Sequence, residues 1–314
     1  MRFPVFPSEA SANAAQVDHL YFFLTAVSVF LMALILLPMI FFLFKYRRGN
    51  KADRSPLRAS TTKIEVTWTV LPLLLSMGIF AWGARDYFNM EVPPKNTLEI
   101  NVVGKQWMWK IQHQEGNREI NELHVPLGRS VKLTLASEDV IHDFFIPAFR
   151  IKQDVVPGRF TTEWFKPTRA GQYHLFCAQY CGTDHSRMVG TVYVMEPAQY
   201  EEWLNKGGAH NTLAQSGANL FRELGCSGCH MGNSTVHAPR LEGLYGKLVA
   251  LQDGRFLRAD DQYLRDCILQ PATQVVAGYP PLMPTFQNRI SEGELFELVA
   301  YIKSLANQQP DEQP

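Results

Sequence analysis

FCAQYCGTDHSRM, residues 176–188, brings Cys177, Cys181, His185 and Met188 within twelve positions. Zinc, a disulfide and copper each account for part of it. Cys181, His185 and Met188, with His142 upstream, have the Cys-His-Met content of a single-copper site on a β-sandwich. Cys177 is the additional residue. Four positions before Cys181, in a loop after a strand, its sulfur can aim at the same point. Two thiolates shared by two coppers, with one histidine per copper, use all of these side chains. Met188 supplies one axial ligand and a loop carbonyl, best that of Gln179, supplies the other. Tetrahedral zinc has no use for Met188. A Cys177–Cys181 disulfide leaves His142, His185 and Met188 unexplained. Soft thiolates and imidazoles favour copper over hard cations.

Around this stretch, residues 96–195 read as short strands: TLEINVVG, WMWKIQH, SVKLTLAS, VIHDFFIP, RFTTEWF, GQYHLF and GTVYVM. Alternating or β-branched runs punctuated by turns such as Val156-Pro157-Gly158 predict an antiparallel, Greek-key sandwich or barrel. Pro197–Leu204 reads as a short helix, and NKGGAHNTLAQSG (205–217) as a linker. From about Leu213 the pattern turns helical, and Ser291 with Glu294 predicts a capped last helix. Within this part, CSGCH (226–230) is the C-x-x-C-H pattern of covalent haem c. Two thioethers to the porphyrin leave His230 to fall on the iron. Met283, in the proline-rich YPPLMPTF, is the candidate for the opposite face. The carbonyl of Pro239 is the candidate to orient the His230 ring. Cys267 reads as a packed helical residue, and His19, His113, His124, His174, His210 and His237 as structural or exposed.

Formal net charge is zero, with 30 basic and 30 acidic residues, so nothing points to a nucleic-acid partner. The apolar content is concentrated at the start. Leu20–Phe44 is 25 residues without a charge, and Val66–Ala84 a further 19. Each approaches or exceeds the roughly 20 residues that cross a bilayer. From Lys45 to Lys63, Lys45, Arg47, Arg48, Lys51, Arg54, Arg58 and Lys63 stand against Asp53 alone. The positive-inside rule then puts this loop in the cytoplasm, with both termini and everything after Arg85 outside.

With the hairpin, KQWMWKIQ, ELHVPLG, VIHDFFIP, KQDVVPGR and CAQYCGTDHSRM in view, residues 17–197 resemble subunit II of haem–copper cytochrome c oxidases, the CuA subunit. The segment from 213 to 306 resembles the fused cytochrome c of caa-type bacterial oxidases. The resemblance implies a multidomain chain: an N-terminal segment and transmembrane hairpin (1–90, helices about 20–44 and 65–85), then a cupredoxin-like CuA Greek-key barrel (91–197). A short helix and linker (198–212), an all-α class I cytochrome c domain (213–306) and a disordered tail (307–314) follow. It implies His142, Cys177, the Gln179 carbonyl, Cys181, His185 and Met188 as ligands of binuclear copper CuA, and Cys226, Cys229, His230 and Met283 as holding haem c. Trp107 matches the tryptophan that accepts electrons from cytochrome c, and Glu65 a glutamate at the mouth of a proton pathway. Many relatives have a magnesium-binding glutamate where this chain has Gln179. A neutral amide is a far weaker ligand for a hard cation, which argues against magnesium here.

The expected function is electron delivery from haem c through CuA to subunit I, which reduces oxygen to water. Expected partners are subunits I and III, membrane lipid, and an external donor such as a cytochrome c or quinol:cytochrome c reductase. The expected location is the bacterial cytoplasmic membrane. The same relay in a CuA-containing nitric oxide reductase is the alternative. A copper-delivery or sensor protein would not need Cys226, Cys229 and His230. A flexible linker of about ten residues spans roughly 17 Å and holds the two redox domains at an effective concentration on the order of mM.

Overall fold

The computed structural model describes residues 6–55, 60–207, 211–231, 234 and 236–307. His210 and tail residues 308–314 lie outside the described residues. Residues up to Ser11 together with those from Pro93 onward form one compact unit, and Ala12–Val92 another.

The second unit is a pair of helices, α1 (Ala12–Lys45) and α2 (Thr62–Glu91). Both run past the uncharged stretches, because an apolar run marks only the part that crosses a hydrocarbon core and helix formation continues into polar flanks. Their apolar side chains point away from the protein: Phe30, Leu37, Leu71 and Phe80 are each more than half exposed. Soluble core helices would hide these groups, so lipid is the medium that fits them. The rings of Phe23 and Trp82 meet at 5.4 Å between the two helices.

The first unit opens with ten strands: β1 (Leu98–Lys105), β2 (Met108–His113), β3 (Arg118–Ile120), β4 (Glu122–Pro126), β5 (Val131–Ser137), β6 (His142–Ile146), β7 (Ile151–Val155), β8 (Thr161–Phe165), β9 (Gly171–Cys177) and β10 (Val189–Met195). They form two five-stranded sheets, ordered β3-β2-β1-β5-β8 and β4-β10-β9-β6-β7. Together they make a curled, cupredoxin-like half-barrel. The sheets are mixed rather than purely antiparallel, since β1 pairs β5 and β10 pairs β4 in parallel. The core between them holds Ile100, Val102, Trp109 and Leu133 from one sheet and Leu123, Phe144, Leu175 and Val192 from the other, all fully buried. Burying one such aliphatic or phenyl side chain stabilises by about 1.5–3 kcal/mol.

After α3 (Pro197–Lys206) the chain becomes helical: α4 (Leu213–Glu223), α5 (Ser227–His230), a ribbon of β11 (Leu248–Ala250) and β12 (Phe256–Arg258), α6 (Asp261–Leu269) and α7 (Glu292–Ser304). Ser291 and Glu294 close a capping box at the start of α7. The stretch read as linker is shorter than expected. Thr212 caps α4 in a second capping box, and the Leu213 N–H donates to Gln114 O at 3.0 Å. LAQSG is therefore helix, anchored to the β-domain at its first residue.

Candidate metal centre and haem pocket

Five of the six expected copper ligands sit at one end of the β9–β10 hairpin. Val189 lies opposite Phe176 in the ladder, so the chain between them must turn back on itself. The Cys177 N–H closes that loop by donating to Met188 O at 3.1 Å, and a tight helical turn at His185–Arg187 lifts His185 inward. His142 begins β6, whose Phe144 pairs Cys177. Five side chains and one carbonyl thus converge. Cys177 Sγ lies 3.7 Å from Cys181 Sγ, 3.9 Å from His142 Nδ1 and 3.2 Å from Gln179 O. Cys181 Sγ lies 3.5 Å from His185 Nδ1 and 3.8 Å from Met188 Sδ. Each sulfur has its own imidazole.

The sulfurs are separate thiols, not a disulfide. Burial opposes ionisation of Cys177, but its contact with His142 and nearby backbone groups prevail and hold it at about 7. Cys181 is pushed up to about 12, first by burial and then by its neighbour Cys177. One thiolate forms readily and a second is resisted by the first, a repulsion that a shared cation would relieve. His142, Cys177 and Cys181 present ligand atoms all within 4.8 Å of one another. Soft sulfur and imidazole donors fit copper, and a thioether at the edge fits it better than zinc.

Two glycines make room for this cluster. A Cβ on Gly104 would lie 2.9 Å from the His142 ring. Gly182, at φ +119°, holds a conformation that favours glycine, and a Cβ there would meet Gln106 Nε2 at 2.8 Å and the Trp107 ring at 3.3 Å. Trp107 is thus half-buried against the ligand loop, while Trp109 is fully buried and meets His142 edge-on at 5.9 Å. Gln179 is exposed. Glu65 stands in the first turn of α2 and accepts from Thr61 Oγ1 at 2.6 Å, away from the cluster in sequence and in the other unit.

Two further residues support the site without being ligands. Asp139 accepts from His142 Nε2 at 2.8 Å and from the Gln106 N–H at 2.8 Å. A carboxylate on Nε2 fixes that nitrogen as the proton carrier and leaves the Nδ1 lone pair facing Cys177. Gln106 Nε2 in turn donates to Cys181 O at 2.7 Å.

His113 and His124, read as structural or exposed, are structural: both are joined to Glu119. The His113 Nε2 contact is 2.7 Å, and His124 Nδ1 bonds the other oxygen. Glu119, Glu122 and His124 also bring donor atoms within 4.8 Å. Burial opposes the charge on Glu119, yet the two imidazoles outweigh it and hold its pKa below the usual carboxylate range. The network ties three strands to α3, where Tyr200 meets His113 at 3.2 Å and Trp203 stacks on His124 at 4.5 Å.

In the helical domain, Cys226, Cys229, His230 and Met283 all line one cavity of about 270 Å³, walled on one side by Leu298 and Ile302 of α7. The α5 turn is closed by the His230 N–H donating to Cys226 O at 3.0 Å. His230 Nδ1 lies 2.8 Å from Pro239 O. A carbonyl only accepts, so Nδ1 carries the proton and Nε2 keeps a lone pair for an iron. Both thiols are free, and burial raises that of Cys226. An apolar slot with two thiols, an oriented imidazole and a thioether fits haem c. Cys267 lines the same cavity.

Comparison with known proteins bears on the family to which the chain belongs. Residues 3–82 match the family model of the cytochrome c oxidase subunit II transmembrane domain, 117–195 that of its periplasmic domain, and 214–306 that of cytochrome c. Cytochrome c oxidase subunit 2 of Alkalihalophilus pseudofirmus is 30% identical over 300 residues, covering 89% of this chain and 85% of that protein. Cytochrome c oxidase subunit 2 of Synechocystis sp. is 26% identical, covering 63% and 74%. The crystal structure of the periplasmic domain of subunit II of cytochrome oxidase from Bradyrhizobium japonicum is 29% identical, with a TM-score of 0.36, over 37% of this chain and 96% of that one. With an apolar helix pair, a periplasmic-type β-domain and a fused cytochrome c domain, this inner-membrane, multi-pass chain belongs to the cytochrome c oxidase subunit II family, in an arrangement consistent with a caa3-type oxidase.

Proposed function

We propose that the chain passes single electrons from a covalently held haem c to a thiolate-bridged copper pair, and on to an oxygen-reducing subunit I. The observation that carries this reading is the pairing of one imidazole with each of two free thiols, in a chain that also holds a CxxCH cavity. His142, Cys177, Cys181, His185, Met188 and the Gln179 carbonyl would hold the copper pair, and Cys226, Cys229, His230 and Met283 the haem. When bound, these groups supply one-electron chemistry. The residues supply rigidity. Cys181, Met188 and His142 are buried between packed sheets, so the donors have little room to move as charge changes. Asp139 keeps His142 in one tautomer, and Pro239 does the same for His230.

Trp107 packs on the ligand loop and is the candidate for accepting electrons from an external donor. Glu65 is the candidate for a proton-pathway mouth shared with subunit I. A subunit III and a cytochrome c or quinol:cytochrome c reductase as donor extend the same reading. The test is purification of the full complex with optical spectra. A haem c band at one per chain, a copper signal and a co-purifying haem–copper subunit support it. Isolation of a stable complex with haem c but no oxygen-reducing subunit would overturn it.

Two expected outcomes follow for the copper site. Asp139→Ala is expected to lower copper affinity about 10–100-fold, the usual cost of removing a ligand's orienting partner, measured by competition with a chelator. Copper uptake by metal-free protein must displace thiol protons, so affinity rises with pH. Because Cys177 ionises at about 7, the rise is steeper below that pH than above it. Calorimetry in two buffers, at about pH 6 and about pH 8, should show more protons released at the lower pH.

A further inference from the structure

Two strands of the β-domain are buried on both faces. On β1, Ile100 and Val102 face the core, but Asn101 and Val103 on the opposite face are only 7% and 1% exposed. On β5, Thr134 and Ala136 are likewise hidden, at 6% and 1%. A strand with one face on a core normally shows the other to water, so something covers this sheet.

The cover is α7. Phe296, 3% exposed, forms a buried cluster with Val103 and Ala136, and its ring stacks on that of Phe160 at 4.8 Å and 12°. Arg265 of α6 lies 5.0 Å over the Phe160 ring, and the Phe160 N–H donates to Gln262 Oε1 at 2.8 Å. Charged pairs surround this apolar centre. Lys303 Nζ meets Glu99 Oε2 at 2.9 Å and Asp261 Oδ1 at 3.3 Å, and Arg118 pairs with Glu297. An aromatic centre within a polar rim is the anatomy of a specific interface.

This seat connects the two candidate sites. Leu298 and Ile302, on another face of α7, wall the cavity of Cys226, Cys229 and His230. On the far side, Val103 is followed by Gly104, whose bare Cα side lies against the His142 ring. One helix and one strand therefore separate the haem cavity from a copper-ligand imidazole. The seat lies on the outer face of the sheet, whereas Trp107 packs on the ligand loop at Gly182.

Resting on the relay reading above, we infer that the cytochrome domain works from this fixed seat on the β1–β5 face, with Phe296 as the positioning residue. Transfer between the centres then oxidises one by a single electron and reduces the other by one, with no proton or bond change in the seat. The seat replaces the freely swinging tether that the linker composition suggested.

The test uses the intact, cofactor-loaded complex and two readouts: hydrogen–deuterium exchange of peptides covering 98–105, 131–137 and 292–304, and the rate of haem-to-copper electron equilibration after a light flash. Phe296→Ala is expected to raise exchange in all three peptides and to slow equilibration, each by about tenfold or more, the scale set by truncating a buried phenyl. Phe296→Leu should recover most of both. Arg118→Glu should loosen the seat, and adding Glu297→Arg should restore it. If Phe296→Ala leaves exchange unchanged, there is no such seat. If it raises exchange while equilibration keeps the parent rate, the seat exists but does not position the transfer, and the inference is overturned. Haem and copper spectra taken first on each sample separate a failure of the relay reading, in which no two-copper signal is present, from a failure of the seat.

Discussion

Cys177→Ser is expected to take the copper content of the purified chain from two to at most one, and to slow oxidation of the haem c domain by more than about 100-fold. Removing even a ligand's orienting partner costs 10–100-fold in affinity, and this change removes the ligand itself. Cys177 Sγ stands between His142 Nδ1, Gln179 O and Cys181 Sγ, at 3.9, 3.2 and 3.7 Å. Serine puts a hard, mostly protonated oxygen at that point, and a soft metal gains little from it. What remains is His142, Cys181, His185 and Met188, the donor set of a single-copper site. Metal analysis against protein concentration, with stopped-flow of pre-reduced protein, reads both effects. Two coppers per chain in Cys177→Ser would remove the bridging assignment.

The second large effect is in the helical domain. Cys226→Ala with Cys229→Ala is expected to abolish covalent haem, read as loss of haem staining on a denaturing gel. It is also expected to destabilise that domain selectively. The cavity of about 270 Å³ lies at its centre, walled by Leu298 and Ile302 of α7 and by the loop of Met283. A ligand that binds only the folded state stabilises it in proportion to its affinity and concentration, and a covalent link makes that contribution permanent. Without haem the walls face an apolar void, which costs packing energy in proportion to its size. Thermal unfolding should show the helical domain melting earlier, ahead of the β-domain. Retention of haem on the denaturing gel would contradict the attachment assignment.

Much of this molecule is legible in its sequence, and the part that is not has a consistent cause. The copper loop reads directly because five of its six donors fall on one hairpin end, where spacing in sequence is spacing in space. CSGCH reads for the same reason. Asp139 does not, since it acts on His142 through one contact and belongs to no pattern. Glu119 joins His113 and His124 across three strands, a link that only the β2–β3 pairing and the chain's path into β4 create. The parallel pairs β1–β5 and β4–β10 depend on contacts between distant segments, whereas local alternation reports only that a strand exists. The second face of α7 is hidden in a similar way. Glu297 and Lys303 look like solvent-facing residues until Arg118 and Glu99 are brought against them.

The most direct test of the account is the electron paramagnetic resonance spectrum of the intact oxidised complex, recorded with copper analysis on the same sample. Two thiolates held between two imidazoles predict one unpaired electron shared equally by two copper nuclei, with two coppers and one haem c per chain. A hyperfine pattern from a single copper nucleus at full metal occupancy would contradict it.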